Sequence, residues 1–411
     1  MSTLDRDPQR PAPPRGPDVI GWLEQRMPLT ELFSFLTHFG LIYTPVDTRR
    51  PLREEWARLK RTPIVSYARW PHVLGLLTAL LFGFEFVTGV LLAFYHQPTV
   101  ANAYDSTRSI LRDVPLGWLV HQLHAWGSWA LLLAVLIRVG RLFWDRLYRA
   151  PRELLWFSAC AVAFLAIQLD FTGLLLPWDV KSYWTAVRGL EVVWAMPIVG
   201  PILSFLVGGR MVSEDVMGRF YALHIIVLPL LYSCFVYLTF ATMRTVGLAR
   251  VGVTQPTVTL RRHFADLLML LLLLFAGLVT FATLLPFPFH GAADPYVTPK
   301  GTRPPWYLLA PYAVFRLPIP SWILGLPMLA LMLAILLLPV LERRLGDHAR
   351  THSSVLMIRM DHEVLDPRVH ETVPHHVHEA DKPVAFAHRE RERILGGSLD
   401  GEVGREPRGL D

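Results

Sequence analysis

Read as alternating apolar and polar stretches, the chain contains six long apolar runs, at 72–95, 117–142, 154–176, 219–241, 264–285 and 321–341. About 20 mostly apolar residues in helical form cross the hydrocarbon core of a bilayer. Each run therefore predicts a transmembrane helix. Residues 18–40, DVIGWLEQRMPLTELFSFLTHFG, mix charges with Trp, Leu and Phe and predict either an amphipathic helix on the membrane surface or a linker helix. Two connections, 177–218 and 286–320, are long and rich in proline and aromatic residues, as folded loops at a membrane interface are. A site belongs on their face rather than on the short basic loops.

Composition agrees with a polytopic membrane protein: 52% of the 411 residues are hydrophobic. The net charge of +6 is concentrated in RRPLREEWARLKR before the first run, RVGRLFWDRLYRAPRE after the second, Arg244, Arg250, Arg261 and Arg262 after the fourth, and ERR after the sixth. Basic residues stay on the cytoplasmic side. Both termini are then expected to be cytoplasmic, and the charge does not indicate nucleic acid. Cys160 and Cys234 fall within apolar runs and imply no disulfide framework. The Pro- and Arg-rich first residues have no apolar segment of a cleavable signal. Residues 346–411 are charged and His-rich, predicting a disordered tail. Its PHHVH cluster has neither the cysteines nor the helical spacing of a metal site.

Polar residues inside the apolar runs carry the chemistry. His121 and His124 lie in the outer third of the second run, and His224 lies at similar depth in the fourth. Histidines at membrane depth mark function by default. A pair on two helices can clamp a haem iron, or each can bond a backbone carbonyl. Gly89 and Gly173 lie at the outer ends of their runs, where missing side chains admit either a flat macrocycle or close helix packing. Fourteen residues make almost four helical turns, about 21 Å on one face. Fourteen or so after His124 and His224 stand Arg138 and Leu238 (with Thr239 beside it), and fourteen before Gly173 stands Ala159 rather than glycine. None of the first three ligates iron as imidazole does.

Five stretches, GWLVHQLHAWG (117–127), YRAPREL (148–154), FTGLLLPWDVKSYW (171–184), GRFYALHIIVLP (218–229) and RPPWYLLAPYAVFR (303–316), give the chain a specific resemblance to cytochrome b of the bc-type quinol:cytochrome c oxidoreductases, in its bacterial form. It covers roughly residues 18–341. The resemblance implies an all-α membrane protein: about six transmembrane helices, a haem-binding four-helix bundle plus two further helices. It implies that His124 and His224 ligate one haem b near the outer side, flanked by Gly89 and Gly173, with His121 and Arg219 as further cofactor-binding candidates. The ligands of the family's inner haem are missing, with Arg138 in one of their places. Pro177, Trp178, Tyr183, Pro304, Trp306 and Tyr307 match segments that wall the family's outer quinone pocket, so a bound quinone is a second expected cofactor. The family's Pro-Glu-Trp-Tyr reads Pro304-Pro305-Trp306-Tyr307, and proline cannot accept a proton. His290, Asp294 and Asp179 are outer-side substitutes by position. No long apolar run follows 341, so the C-terminal part is expected to be short.

The expected organisation is a disordered 1–17, a surface helix and linker at 18–68, the four-helix bundle at 69–250, a shortened C-terminal part at 251–345 and a cytoplasmic tail at 346–411. The leading reading is an electron-transfer subunit of a bc-like complex in a bacterial inner membrane, working without a full Q cycle beside an iron–sulfur protein and/or c-type cytochromes. The alternative is a structural anchor for other redox subunits, with no quinone turnover. Intramembrane acids Glu85 and Asp170 offer a candidate proton path, or pair structurally with neighbours.

Overall fold

The computed structural model describes residues 19–37, 42, 46–65, 73–209, 211–246, 257–297 and 303–344. The expectations for 1–17 and for 346–411, PHHVH included, lie outside the described residues. Where one surface helix was expected there are two, α1 (Val19–Glu24) and α2 (Leu29–Thr37). Pro28 causes the break, because proline disfavours helical geometry in the residue before it and offers no N–H. Helix α3 (Leu52–Arg61) follows. Its buried Glu55 is paired with Arg58 and accepts the Asp47 N–H at 2.9 Å. The Arg58 guanidinium and that N–H hold the Glu55 carboxyl below the usual carboxylate range. Strand β1 (Ile64–Val65) pairs antiparallel with β2 (Thr257–Val258). Arg244, in the last turn of the fourth span, donates to Thr37 at 3.0 Å. The basic segments before the first span and after the fourth are thus joined at one end of the helices.

Five helices are long and apolar enough to cross a membrane. They are α4 (Val73–Ala93), α6 (Gly117–Trp144), α7 (Glu153–Leu175), the composite span Glu214–Val246, and α12 (Leu260–Leu284). The expected sixth span is bent by 77° between α14 (Ser321–Leu336) and the helical residues Leu338–Arg344. Pro339 explains the break: in a continuous helix its ring would collide with the carbonyl of Ile335. Helix α4 packs on α6, α6 on α7, and α7 on α11 (Leu228–Val246), with α12 against α6 and α14 against α7.

The composite span consists of α10 (Glu214–Ala222), a π-helical turn over Leu223–Val227, and α11. The sequence dictates that turn. Pro229 lacks the N–H that would bond the carbonyl of Ile225, and its ring crowds that carbonyl. Widening the turn removes the clash, and the Leu228 N–H reaches back to Leu223 O. His224 lies within this turn.

Short helices cover the histidine end: α5 (Ala103–Arg112), α8 (Val180–Trp194), α9 (Val199–Val207) and α13 (Leu309–Val314). Asp179 starts α8 with a capping box, accepting the Ser182 N–H at 2.7 Å, which satisfies an amide the helix leaves unpaired. Phe171, Trp178, Tyr183, Met217 and Phe220 form the apolar cluster that seats this cover on α7 and α10.

Candidate functional site

The structure brings the rings of His124 of α6 and His224 of the π turn together, centroids 6.2 Å apart and planes 85° to each other. Each ring is fixed from behind through Nδ1. His124 Nδ1 meets Thr88 Oγ1 at 2.9 Å and Glu85 Oε2 at 3.0 Å. His224 Nδ1 meets the Leu169 carbonyl at 3.0 Å and Thr172 Oγ1 at 3.2 Å. Both threonine hydroxyls donate back into their own helices, Thr88 to Phe84 O at 3.0 Å and Thr172 to Gln168 O at 2.8 Å, so they present lone pairs to the rings. Nδ1 then carries the proton in both imidazoles, which leaves Nε2 as the lone-pair nitrogen. Among the described residues no hydrogen bond engages either Nε2.

The separation of the rings is compatible with a metal between them. Two metal–imidazole bonds of about 2 Å each, plus about 1 Å from each nitrogen to its ring centre, separate the centroids by roughly 6 Å. A ligating histidine normally donates its other N–H to a carboxylate or carbonyl. The flanking helices complete the slot. A Cβ on Gly89 would lie 3.2 Å from His124 Cε1, and one on Gly173 would lie 2.7 Å from His224 Cε1. Each glycine directly follows one of the two threonines.

One turn further out, His121 precedes His124 by three residues and Tyr221 precedes His224 by three. His96 packs against Tyr221, ring centroids 6.0 Å apart. Among the described residues, His121 Nδ1 and His96 Nε2 are buried without a hydrogen-bond partner. Arg219 is turned elsewhere: its Nη1 caps the end of α9, donating to Phe205 O at 2.7 Å and Leu206 O at 3.3 Å.

The family pattern described as Cytochrome b/b6/petB matches residues 59–247, and that described as Cytochrome b(C-terminal)/b6/petD matches 292–361. Cytochrome b6 of Heliobacterium modesticaldum is 35% identical over 179 residues, 43% of this chain and 84% of that protein. The chain belongs to the cytochrome b/b6 family. Cytochrome b of Akanthomyces muscarius is 33% identical over 278 residues, 64% of this chain and 71% of its own length. A solved structure described as "Hyperthermophilic respiratory Complex III" matches with a TM-score of 0.62 at 26% identity, covering 72% of this chain and 82% of that one. This member of the family is an integral membrane protein and an electron-transfer subunit, and the family's prosthetic group is haem b. The paired rings, the engaged Nδ1 atoms and the glycine-lined slot fit that group.

Towards the other end of the bundle the same helices are closed. Arg138 is 6% exposed; its guanidinium donates to Met243 Sδ at 3.5 Å and lies 5.8 Å from the centre of the Phe240 ring. Phe82 and Tyr232 stack at 4.3 Å. Thr239 is fully buried and donates to Ser158 at 3.0 Å, beside Ala159 and Val162. Leu238 is only partly buried. Thr239, not Leu238, is thus the inward residue, because the π turn adds one to the count from His224.

The loop residues are distributed more widely than expected. Trp178 and Tyr183 are buried edge to face at 5.2 Å within the cover. Pro177 and Pro304 are partly buried, Pro305 is buried, and Trp306 is 38% exposed. Tyr307 donates its hydroxyl to Asp170, whose other oxygen accepts from Ser128 at 3.0 Å. That contact, 137 residues long in sequence, links the Pro-Pro-Trp-Tyr segment to α7 one turn from Gly173. Among the proposed proton acceptors, Asp179 accepts from the His290 backbone and meets His290 Nδ1, both at 3.1 Å, besides capping α8. Asp294 accepts the Tyr296 N–H at 2.9 Å. Reasoning from sequence missed Thr88, Thr172 and the Glu85–His124 contact. The repeated Thr-Gly pair at 88–89 and 172–173 was the available signal.

Proposed function

We propose that this chain holds a single haem b between His124 and His224, near the outer face of a bacterial inner membrane. There it serves as the electron-transfer subunit of a bc-like complex that runs no full Q cycle. The observation that carries the proposal is the 6.2 Å centroid separation of two rings whose Nδ1 atoms are both engaged. When bound, the haem supplies a one-electron carrier. The chain supplies ligands, the slot between Gly89 and Gly173, and polar partners in His121 and His96. The packing of Arg138, Tyr232, Thr239 and Phe240 supports the absence of an inner haem, and electrons then keep to the outer side.

In this reading the quinone pocket is formed around Pro177, Trp178, Tyr183, Pro304, Trp306 and Tyr307, where Pro305 gives no proton acceptor. Glu85 and Asp170 are the carboxylates nearest the pair, and the Tyr307–Asp170 contact is the start of the candidate proton path. The organisation proposed is the surface segment 18–68, the bundle 69–250 and the shortened part 251–345, with both termini cytoplasmic. An iron–sulfur protein or c-type cytochromes act as partners. The β1–β2 pairing and the Arg244–Thr37 bond support placing the N-terminal segment at the end opposite the histidines. A pyridine haemochrome assay on purified protein tests the reading. One haem per chain, lost in His124→Ala and in His224→Ala, is expected; two per chain, or retention in both variants, overturns it.

A further inference from the structure

The two halves of the histidine site follow one template. Thr88-Gly89 on α4 and Thr172-Gly173 on α7 each place a hydroxyl on Nδ1 and a bare Cα beside Cε1. Three residues before each threonine stand Glu85 and Leu169. Leu169 offers His224 only its backbone carbonyl, at 3.0 Å. Glu85, in the same register, offers His124 a carboxylate oxygen, also at 3.0 Å. The carboxylate is 9% exposed, and its other oxygen is buried over Gly127 with no hydrogen-bond partner among the described residues; any Cβ on Gly127 would collide with it. Gly127 is thus the residue that lets a carboxylate reach this position.

We infer that Glu85 is a positioning residue that makes His124 the stronger donor of the two ligands and so lowers the reduction potential of the haem; the inference rests on the bis-histidine reading. Ligation through Nε2 requires the proton on Nδ1, so Glu85 Oε2 is the acceptor. A carboxylate accepting that N–H draws the proton and raises the basicity of the ligand, and hydrogen bonding and charge around an axial ligand tune haem potential. Electron density pushed towards iron favours the ferric form. The His224 side, with a neutral carbonyl, lacks this push. Ser128 and Asp170 lie on the neighbouring turn but make no hydrogen bond to either ring.

The test is redox titration of the purified, haem-loaded protein, followed by its absorption spectrum, for wild type, Glu85→Gln, Glu85→Asp and Asp170→Asn. Glu85→Gln keeps the shape and replaces the carboxyl acceptor on Nδ1 with a weaker amide one. The expected result is at least a tenfold shift of the one-electron equilibrium towards the reduced form, a rise of about 59 mV. Asp170→Asn removes a neighbouring carboxylate that does not touch a ligand, and should shift the equilibrium less than threefold. A shift below twofold in Glu85→Gln, or equal shifts in Glu85→Gln and Asp170→Asn, overturns the inference. Should Glu85→Gln fail to load haem, Glu85→Asp decides: its shorter arm withdraws from Nδ1, and an unchanged potential there overturns the inference as well. Wild-type protein without haem refutes the bis-histidine reading itself, which separates the two failures.

Discussion

Placing a methyl group on Gly173 gives the sharpest test of the haem slot. A Cβ there would lie 2.7 Å from His224 Cε1, 0.7 Å inside the 3.4 Å at which ordinary contact begins. The imidazole cannot retreat, because Leu169 O and Thr172 Oγ1 hold its Nδ1 at 3.0 and 3.2 Å. Overpacking of this kind costs about 1–3 kcal/mol. At about 1.4 kcal/mol per tenfold, Gly173→Ala should weaken haem binding roughly 5- to 150-fold. Gly89→Ala meets His124 Cε1 at 3.2 Å, only 0.2 Å short of ordinary contact, and should fall at the low end. The same clash is present in the haem-free protein, where the better helix propensity of alanine, about 1 kcal/mol over glycine, offsets part of it. A loss of haem affinity larger than the loss of fold stability is therefore the signature. The assay is haem transfer to excess haem-free globin, followed by absorption, with thermal denaturation of the haem-free protein in detergent beside it. Unchanged transfer in Gly173→Ala, or greater damage from Gly89→Ala, refutes the geometry.

Replacing Arg138 by histidine together with Leu238 or Thr239 should give no second haem by the haemochrome assay, since Phe82, Tyr232, Ala159 and Phe240 fill the space; stoichiometric gain sinks that claim. Stopped-flow mixing with a ubiquinol or menaquinol analogue should reduce the haem slowly or not at all, and Pro305→Glu alone should not accelerate it. Fast, inhibitor-sensitive reduction coupled to a separate high-potential acceptor contradicts that expectation. His96 lies beyond the end of α4, and burial pushes its pKa down from 6.5 to about 4. The folded protein then binds fewer protons than the unfolded chain in this window, so the contribution is full above about pH 6.5 and is lost as pH falls towards about 4. Melting temperatures in detergent should show an acid-side slope that His96→Gln flattens; parallel slopes in the two proteins count against it.

The spans and the histidine pair were legible because membrane depth is a one-dimensional quantity that sequence records directly. His124 and His224 could be matched simply by counting from the ends of their runs. What surrounds the rings was not legible in that way. Glu85 and Asp170 stood out as intramembrane acids, but only packing decides that one faces His124 and the other Tyr307. Arg219 illustrates the converse: the family resemblance suggested the cofactor, while the carbonyls at the end of α9 hold its guanidinium. Pro28 and Pro339 each interrupt a helix that apolarity alone drew as continuous. Hydropathy averages over a window and does not register a single missing N–H.

The π turn around His224 gives this span one residue more than a regular helix of the same length would hold. One residue of α-helix is about 100° of rotation. Deleting a single residue of the turn after His224 would restore ordinary periodicity with α11 still facing the core, although the proline that follows would again crowd the carbonyl four residues before it. A deletion in the first turn of α11, where no spare residue takes up the change, would swing the rest of that helix by the same angle, and Tyr232, Val236, Thr239, Phe240 and Met243, now buried along one face, would leave the core together. A library of single-codon deletions should therefore lose folded protein in α11 before it does so in the turn.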